Sequence, residues 1–195
     1  PMRNTRTCAA AASATCLVKA RRVALPDGAM SKCSPVRWYV LAAVVIVLDQ
    51  ISKQVVLATI RFGETIYVAP FWNWVLTFNR GAAFSFLASE EGWQRWFFTV
   101  LALGVSGWIV FMLRQHAGQR LLSFALALIM GGALGNVIDR IRFGAVVDFV
   151  QWHAAGFYWP AFNVADSAIT VGAVLMVWDQ FVSGAVKERQ REHMP

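Results

Sequence analysis

Charge is scarce in this chain. Of its 195 residues only 15% are Asp, Glu, Lys or Arg while 57% are hydrophobic, against roughly a quarter charged in an ordinary soluble domain. With a mean hydropathy of +0.50, a soluble globule is excluded and a membrane protein is expected. Cysteine is limited to Cys8, Cys16 and Cys33, all in the first stretch, which excludes a disulfide framework for the remainder. Histidine is limited to His116, His153 and His193. These fall in three separate regions, without the tight ligand cluster a zinc site needs, so neither metal nor cofactor is expected. No segment repeats at a fixed period, which excludes a solenoid. Acids are outnumbered by bases, giving a formal net charge of +7, but the bases do not line a groove with stacking aromatics, so nucleic acid is not an expected partner.

What is present is organised by four apolar runs, Val36–Ile60, Trp93–Leu113, Leu121–Ile141 and Phe162–Val182, each close to the roughly 20 residues a helix needs to cross the hydrocarbon core. Basic residues gather before the first (Lys19, Arg21, Arg22, Lys32, Arg37), between the second and third (Arg114, Arg120) and after the last (Lys187, Arg189, Arg191). That pattern puts both termini and the short second connection in the cytoplasm, and the other two connections outside. Residues 1–35 are rich in Ala, Arg, Ser and Thr and are expected to be a disordered basic extension. Met30, followed by a short basic lead, is a possible start. A targeting or lipid-anchoring segment with Cys16 as acceptor would need an apolar run that is missing here. The membrane domain then spans 36–186 and a basic cytoplasmic tail 187–195.

The first outer connection is patterned rather than loop-like. TIYVAPFWNWVLTFN alternates β-branched and aromatic residues with smaller or polar ones between Gly63 and Gly81, which predicts short strands and turns. The fold class expected is an α-helical integral membrane protein of four transmembrane helices, with a small periplasmic β-sheet platform between the first and second. Such a platform is either a structural hairpin or a surface that holds an extended chain by strand pairing.

The polar residues inside this apolar frame are few enough to take singly. Asp49 and Lys53 are four apart on one helix face, and each stranded at membrane centre would cost about 2.5 to 3.5 kcal/mol. They are expected to pair and point inward. Gly131 and Gly135 have the small-xxx-small spacing for close helix contact. Beyond them Asn136, Asp139 and Arg140 share a face. Asp139 with Arg140 reads either as an interfacial ion pair or as part of a site, and Asn136 and Arg140 read as donors to peptide carbonyls.

The stretch from Gly144 to Thr170 holds Asp148 and Asp166 among aromatic and apolar residues, where an unpartnered carboxylate is costly. Pro160 breaks the chain ahead of the fourth helix, leaving Asn163 and Asp166 within its first turn. Two carboxylates brought together would share a proton, one drawing a proton from water while the other polarises a scissile carbonyl. That chemistry needs neither metal nor covalent intermediate. Ser85, Ser89 and Ser167 have no Lys or His placed nearby in sequence to activate them.

The blocks LDQISK at Asp49, FNRGAAFS from Phe78, GGALGNVIDR from Gly131, VVDF at Asp148 and FNVADSAIT at Asp166 resemble, in order and spacing, those of lipoprotein signal peptidase (signal peptidase II), a four-helix inner-membrane aspartic peptidase of bacteria. The resemblance covers about Trp38 to Val186. It implies that Asp148 and Asp166 are the catalytic dyad, that Asn79, Gly81, Asn136, Arg140, Asn163 and Ala165 shape the substrate site, and that Asp49, Lys53 and Asp139 support it. It further implies a diacylglyceryl-prolipoprotein substrate cut just before its lipidated cysteine, membrane lipid as surroundings, and an active site facing the periplasm or cell exterior. The aromatic residues Phe149, Trp152, Phe157, Tyr158, Trp159 and Phe162 would then seat that site at headgroup depth. The alternative is a proton-coupled transporter or channel with Asp49, Lys53, Asp139, Asp148 and Asp166 as relay. It is disfavoured by the apolar inner halves of the third and fourth runs.

Overall fold

A computed structural model describes residues 34–81 and 92–192. The expected N-terminal extension, apart from its last residues, lies outside them, as do Ser85, Ser89 and His193. Four helices, α1 (Val36–Thr59), α2 (Trp93–His116), α3 (Arg120–Phe143) and α4 (Val164–Glu192), are accompanied by four strands, β1 (Thr65–Ala69), β2 (Trp72–Asn79), β3 (Val146–Ala154) and β4 (Phe157–Tyr158). The three 24-residue helices are each about 36 Å long at 1.5 Å per residue. With Val164–Val182 of α4 they make four segments long and apolar enough to cross a membrane.

Helix α1 shows how a membrane sequence hides its pattern. Its buried residues, Trp38, Ala42, Val45, Asp49, Lys53 and Val56, recur at three and four. Val40, Val44, Val47, Ile51 and Val55, on the opposite side, are exposed and equally apolar. In water that outer stripe would be polar; in lipid it need not be. The polar residues mark the inner face instead. Helix α3 lies at the centre and packs on each of the other three. The spacing of Gly131 and Gly135 is what lets α1 approach. A Cβ on Gly131 would stand 2.8 Å from the Ala42 carbonyl oxygen, and one on Gly135 would stand 2.7 Å from Asp49 Oδ2.

The sheet is antiparallel in the order β1-β2-β3-β4. Its first two strands are the patterned connection after α1. The other two come from the connection between α3 and α4, so the platform joins both outer connections rather than the first alone. Strand β3 was hard to foresee because VVDFVQWHA is buried on both faces over its first four residues, which erases the alternation that marks a half-buried strand. Pairing sets Thr77 opposite Asp148, Phe78 opposite Val147 and Asn79 opposite Val146. Two apolar cores result. One, around Trp38, Leu113, Leu122 and Leu126, lies at the end away from the sheet. The other, around Val56, Ile60, Leu76, Val147 and Phe149, seals the sheet onto the tip of α1.

Candidate active site

Between those cores the polar residues converge. Asp148, on β3, is 1% exposed; Asp166, in the first turn of α4, is half-buried. Asn163 holds both. Its Nδ2 donates to Asp148 Oδ1 at 2.6 Å and its Oδ1 accepts the Asp166 backbone N–H at 2.9 Å. The second contact is an N-cap, since the side-chain oxygen of the residue before a helix satisfies a backbone donor of its open first turn. One residue therefore starts the helix that carries one acid and clamps the other.

The second oxygen of Asp148 is held from the sheet. Asn79 Nδ2 donates to Asp148 Oδ2 at 3.0 Å, while Asn79 Oδ1 accepts the Gly81 N–H at 2.9 Å and so fixes the amide's direction. Gly81 has φ +104°, and a Cβ there would stand 2.5 Å from Cε2 of Phe98. Only glycine makes this turn without strain. Burial pushes the Asp148 carboxyl up to about 7, and the neighbouring Asp166 charge adds to the rise. The Asn79 and Asn163 amides and the Lys53 ammonium favour the ionised form but do not cancel it.

Asp166 is reached from α3, where Asn136 Nδ2 donates to its Oδ1 at 2.8 Å. Behind Asn136 stands a buried ion cluster. Lys53 Nζ contacts Asp139 Oδ2 at 2.7 Å, Asp49 Oδ2 at 2.8 Å and Asn136 Oδ1 at 3.0 Å. Asp49 Oδ1 accepts the Ala165 backbone N–H at 2.9 Å, a second cap on α4, and Asp139 Oδ2 accepts the Val147 N–H at 3.2 Å. The ion pair between Asp139 and Arg140 is not formed. Adjacent helical residues point about 100° apart, and Asp139 turns inward to Lys53 while Arg140 lies over the Phe98 ring, 5.4 Å from its centroid.

The structure thus brings together Asp49, Lys53, Asn79, Gly81, Asn136, Asp139, Asp148, Asn163, Ala165 and Asp166, with Arg140 bordering the pair. Gln50 was missed. Its Nε2 donates to Asp139 Oδ1 at 2.9 Å and to Asp49 Oδ2 and the Gly135 carbonyl at 3.2 Å. An amide in the middle of an apolar run was the available signal. Phe98 was missed too, because nothing in a membrane helix distinguishes a phenylalanine under a glycine turn from one facing lipid. Among the described residues no three His, Cys, Asp or Glu side chains are arranged as metal ligands. A groove of about 470 Å³ lined by Phe62, Phe78, Arg80, Phe143 and Ala145 adjoins the sheet. Phe78, paired with Val147, is on the face away from Asp148, so this groove is not the opening to the two acids.

Comparison with known proteins gives the family and the fold. The family model described as Signal peptidase (SPase) II matches residues 41–182. The lipoprotein signal peptidase of Azoarcus sp. (strain BH72) is 57% identical over 158 residues, covering 81% of this chain and 90% of the relative. That of Janthinobacterium sp. (strain Marseille) is 53% identical over 150 residues, covering 77% and 91%. A solved structure described as a bacterial membrane enzyme, determined by the in meso method at 2.3 Å, superposes with a TM-score of 0.69 at 30% identity, covering 78% of this chain and 92% of that one. With the match running from the first helix through the fourth and taking in all of the clustered polar residues, the chain belongs to the signal peptidase II family of lipoprotein signal peptidases, which are aspartic peptidases.

Proposed function

We propose that this chain removes the signal peptide from diacylglyceryl-modified prolipoproteins by cutting before the lipidated cysteine, with Asp148 and Asp166 as its catalytic dyad. The observation that carries the assignment is the asymmetry of two acids held by one Asn163. Asp148 is fully buried and pushed up to about 7, so it holds a proton near neutral pH. Asp166 is only half-buried and accepts a hydrogen bond from Asn136.

In this reading Asp148 donates to the scissile carbonyl oxygen while Asp166 takes a proton from a water whose oxygen adds to the carbonyl carbon. The resulting diol collapses as the C–N bond breaks. The proton on Asp166 passes to the departing nitrogen of the cysteine, and a diol hydroxyl returns one to Asp148 as the carboxyl product forms. Arg140, over Phe98 beside the dyad, is a donor for a peptide carbonyl next to the scissile bond.

The site lies at the sheet end of the bundle, whereas Arg37, Arg114 and Arg120 lie at the other end. The excess of bases there supports cytoplasmic termini and a site on the periplasmic or external side. A substrate with its signal helix and acyl chains in lipid would present its bond at that depth. Mass analysis of the products tests the reading. Incubation with a diacylglyceryl-modified prolipoprotein should release a mature chain beginning at the lipidated cysteine, and the unmodified precursor should stay intact. Cleavage elsewhere, or equal cleavage of the unmodified precursor, would contradict it.

A further inference from the structure

The buried cluster behind the dyad has a satisfiability that bears on the reaction. An ammonium has three protons and accepts none. Lys53 spends one each on Asp49, Asp139 and Asn136, at 2.8, 2.7 and 3.0 Å, and is 0% exposed. Each carboxylate has three donors: Lys53, Gln50 and Ala165 N–H for Asp49, and Lys53, Gln50 and Val147 N–H for Asp139. Both carboxyl groups are therefore satisfied by donors, and neither has reason to leave. An Asn amide has nearly the same shape either way round, so its direction is set by its partners. Because Lys53 can only donate, the end of Asn136 that meets it must be Oδ1. Asn163 Nδ2 donates to the same oxygen at a longer 3.4 Å, and the Nδ2 end is left to face Asp166.

We infer that Lys53 is a positioning residue for the proton-accepting acid, fixing the Asn136 amide so that a donor, and not an oxygen, faces Asp166. Gln50, which bridges both acids of the cluster, holds Lys53 in place. The inference rests on the dyad reading above and assigns a task to residues which that reading leaves as support. Without the ammonium, Asn136 Oδ1 keeps only the longer 3.4 Å contact from Asn163 Nδ2, and a more loosely held amide makes a weaker hydrogen bond to the Asp166 carboxylate, favouring its ionised form less. The other charged groups around Asp166 are Arg140 on α3 and Asp148 on β3. Lys53 and Asp49, on α1, reach it through Asn136 and the Ala165 backbone. Asn136→Leu takes one acceptor from Lys53 and leaves the Arg140 contact, which is to the Asn136 backbone carbonyl.

The test is the pH profile of kcat/KM for cleavage of a lipidated prolipoprotein in detergent, by wild type, Lys53→Met, Asn136→Leu and the double variant. The expected result is an acidic limb displaced upward by about one pH unit in each single variant, with KM near that of wild type. The double variant should move no further than Asn136→Leu, since both act on one contact. If Lys53→Met fails to fold, Lys53→Met combined with Asp139→Asn keeps the cluster's net charge at its original value and should show the same displacement. A purely structural Lys53 would lower the rate by one factor at every pH and leave the limb fixed, which overturns the inference. Asp166→Asn is run beside them. Retained activity there sinks the dyad reading and this inference together, whereas a fixed limb in Lys53→Met beside an inactive Asp166→Asn sinks the inference alone.

Discussion

Asp148 is where burial is turned into chemistry. Its ordinary value is 3.8, and the folded protein raises it to about 7. Below 3.8 both the folded and unfolded chains carry the proton. Between 3.8 and about 7 only the unfolded chain gains by ionising, so the contribution to stability present at low pH is lost as pH rises and levels off above about 7. In the proposed mechanism activity follows the same proton. If Asp148 must donate, kcat/KM falls as pH rises through about 7, and a rate profile between pH 5 and 9 checks this. Asn79→Ala removes a hydrogen bond that favours the ionised form, so it should move that alkaline limb to higher pH while lowering the rate. At this scale the sequence was most legible for charged residues, which are too costly in lipid to be accidental. It was least legible for contacts: Asp139 stands beside Arg140 in the chain yet pairs with Lys53 from another helix. Adjacency in sequence says little about which way a helical side chain turns.

Elements put these residues in register. The N-terminus of α4 is capped twice, by Asn163 from its own chain end and by Asp49 from α1. Asn163→Ala should cost about 1 kcal/mol for the lost cap, read as a lower thermal midpoint in detergent, together with a loss of activity out of proportion to it because Asp148 loses its second amide. Gly135→Ala would place a methyl 2.7 Å from Asp49 Oδ2. Overpacking of this kind costs roughly 1 to 3 kcal/mol, and here it also pushes on the group that caps α4. Reduced cleavage with the four helices still formed by circular dichroism is the expected outcome. The helices themselves could be read from apolar length and the first hairpin from its alternation. Strand β3 could not, since a strand covered on both faces has the same apolar run as a short helical segment.

The described residues form a four-helix bundle whose ion cluster and paired acids gather toward the sheet. Two apolar cores enclose the ion cluster and the dyad, and the outer faces of α1, α2 and α4 expose Val, Leu, Phe and Trp as a lipid-facing surface requires. Cysteine scanning in a background free of Cys8, Cys16 and Cys33 tests the orientation. A cysteine at Ala154, at the far tip of the sheet, should react with an impermeant reagent added outside, and one at Gly118, between α2 and α3, only after the membrane is opened. The opposite result would invert the topology. Four spans were legible from composition alone, because bilayer thickness sets their length. The sheet's second half was not, because it is recruited from a connection whose own pattern is buried.

The most direct measurement is cleavage of a diacylglyceryl-modified prolipoprotein by wild type, Asp148→Asn and Asp166→Asn, each verified as folded and able to bind substrate. Wild type should cut before the lipidated cysteine, and both variants should bind but lose cleavage by at least about a hundredfold. Cleavage near the wild-type rate in either variant would contradict the dyad.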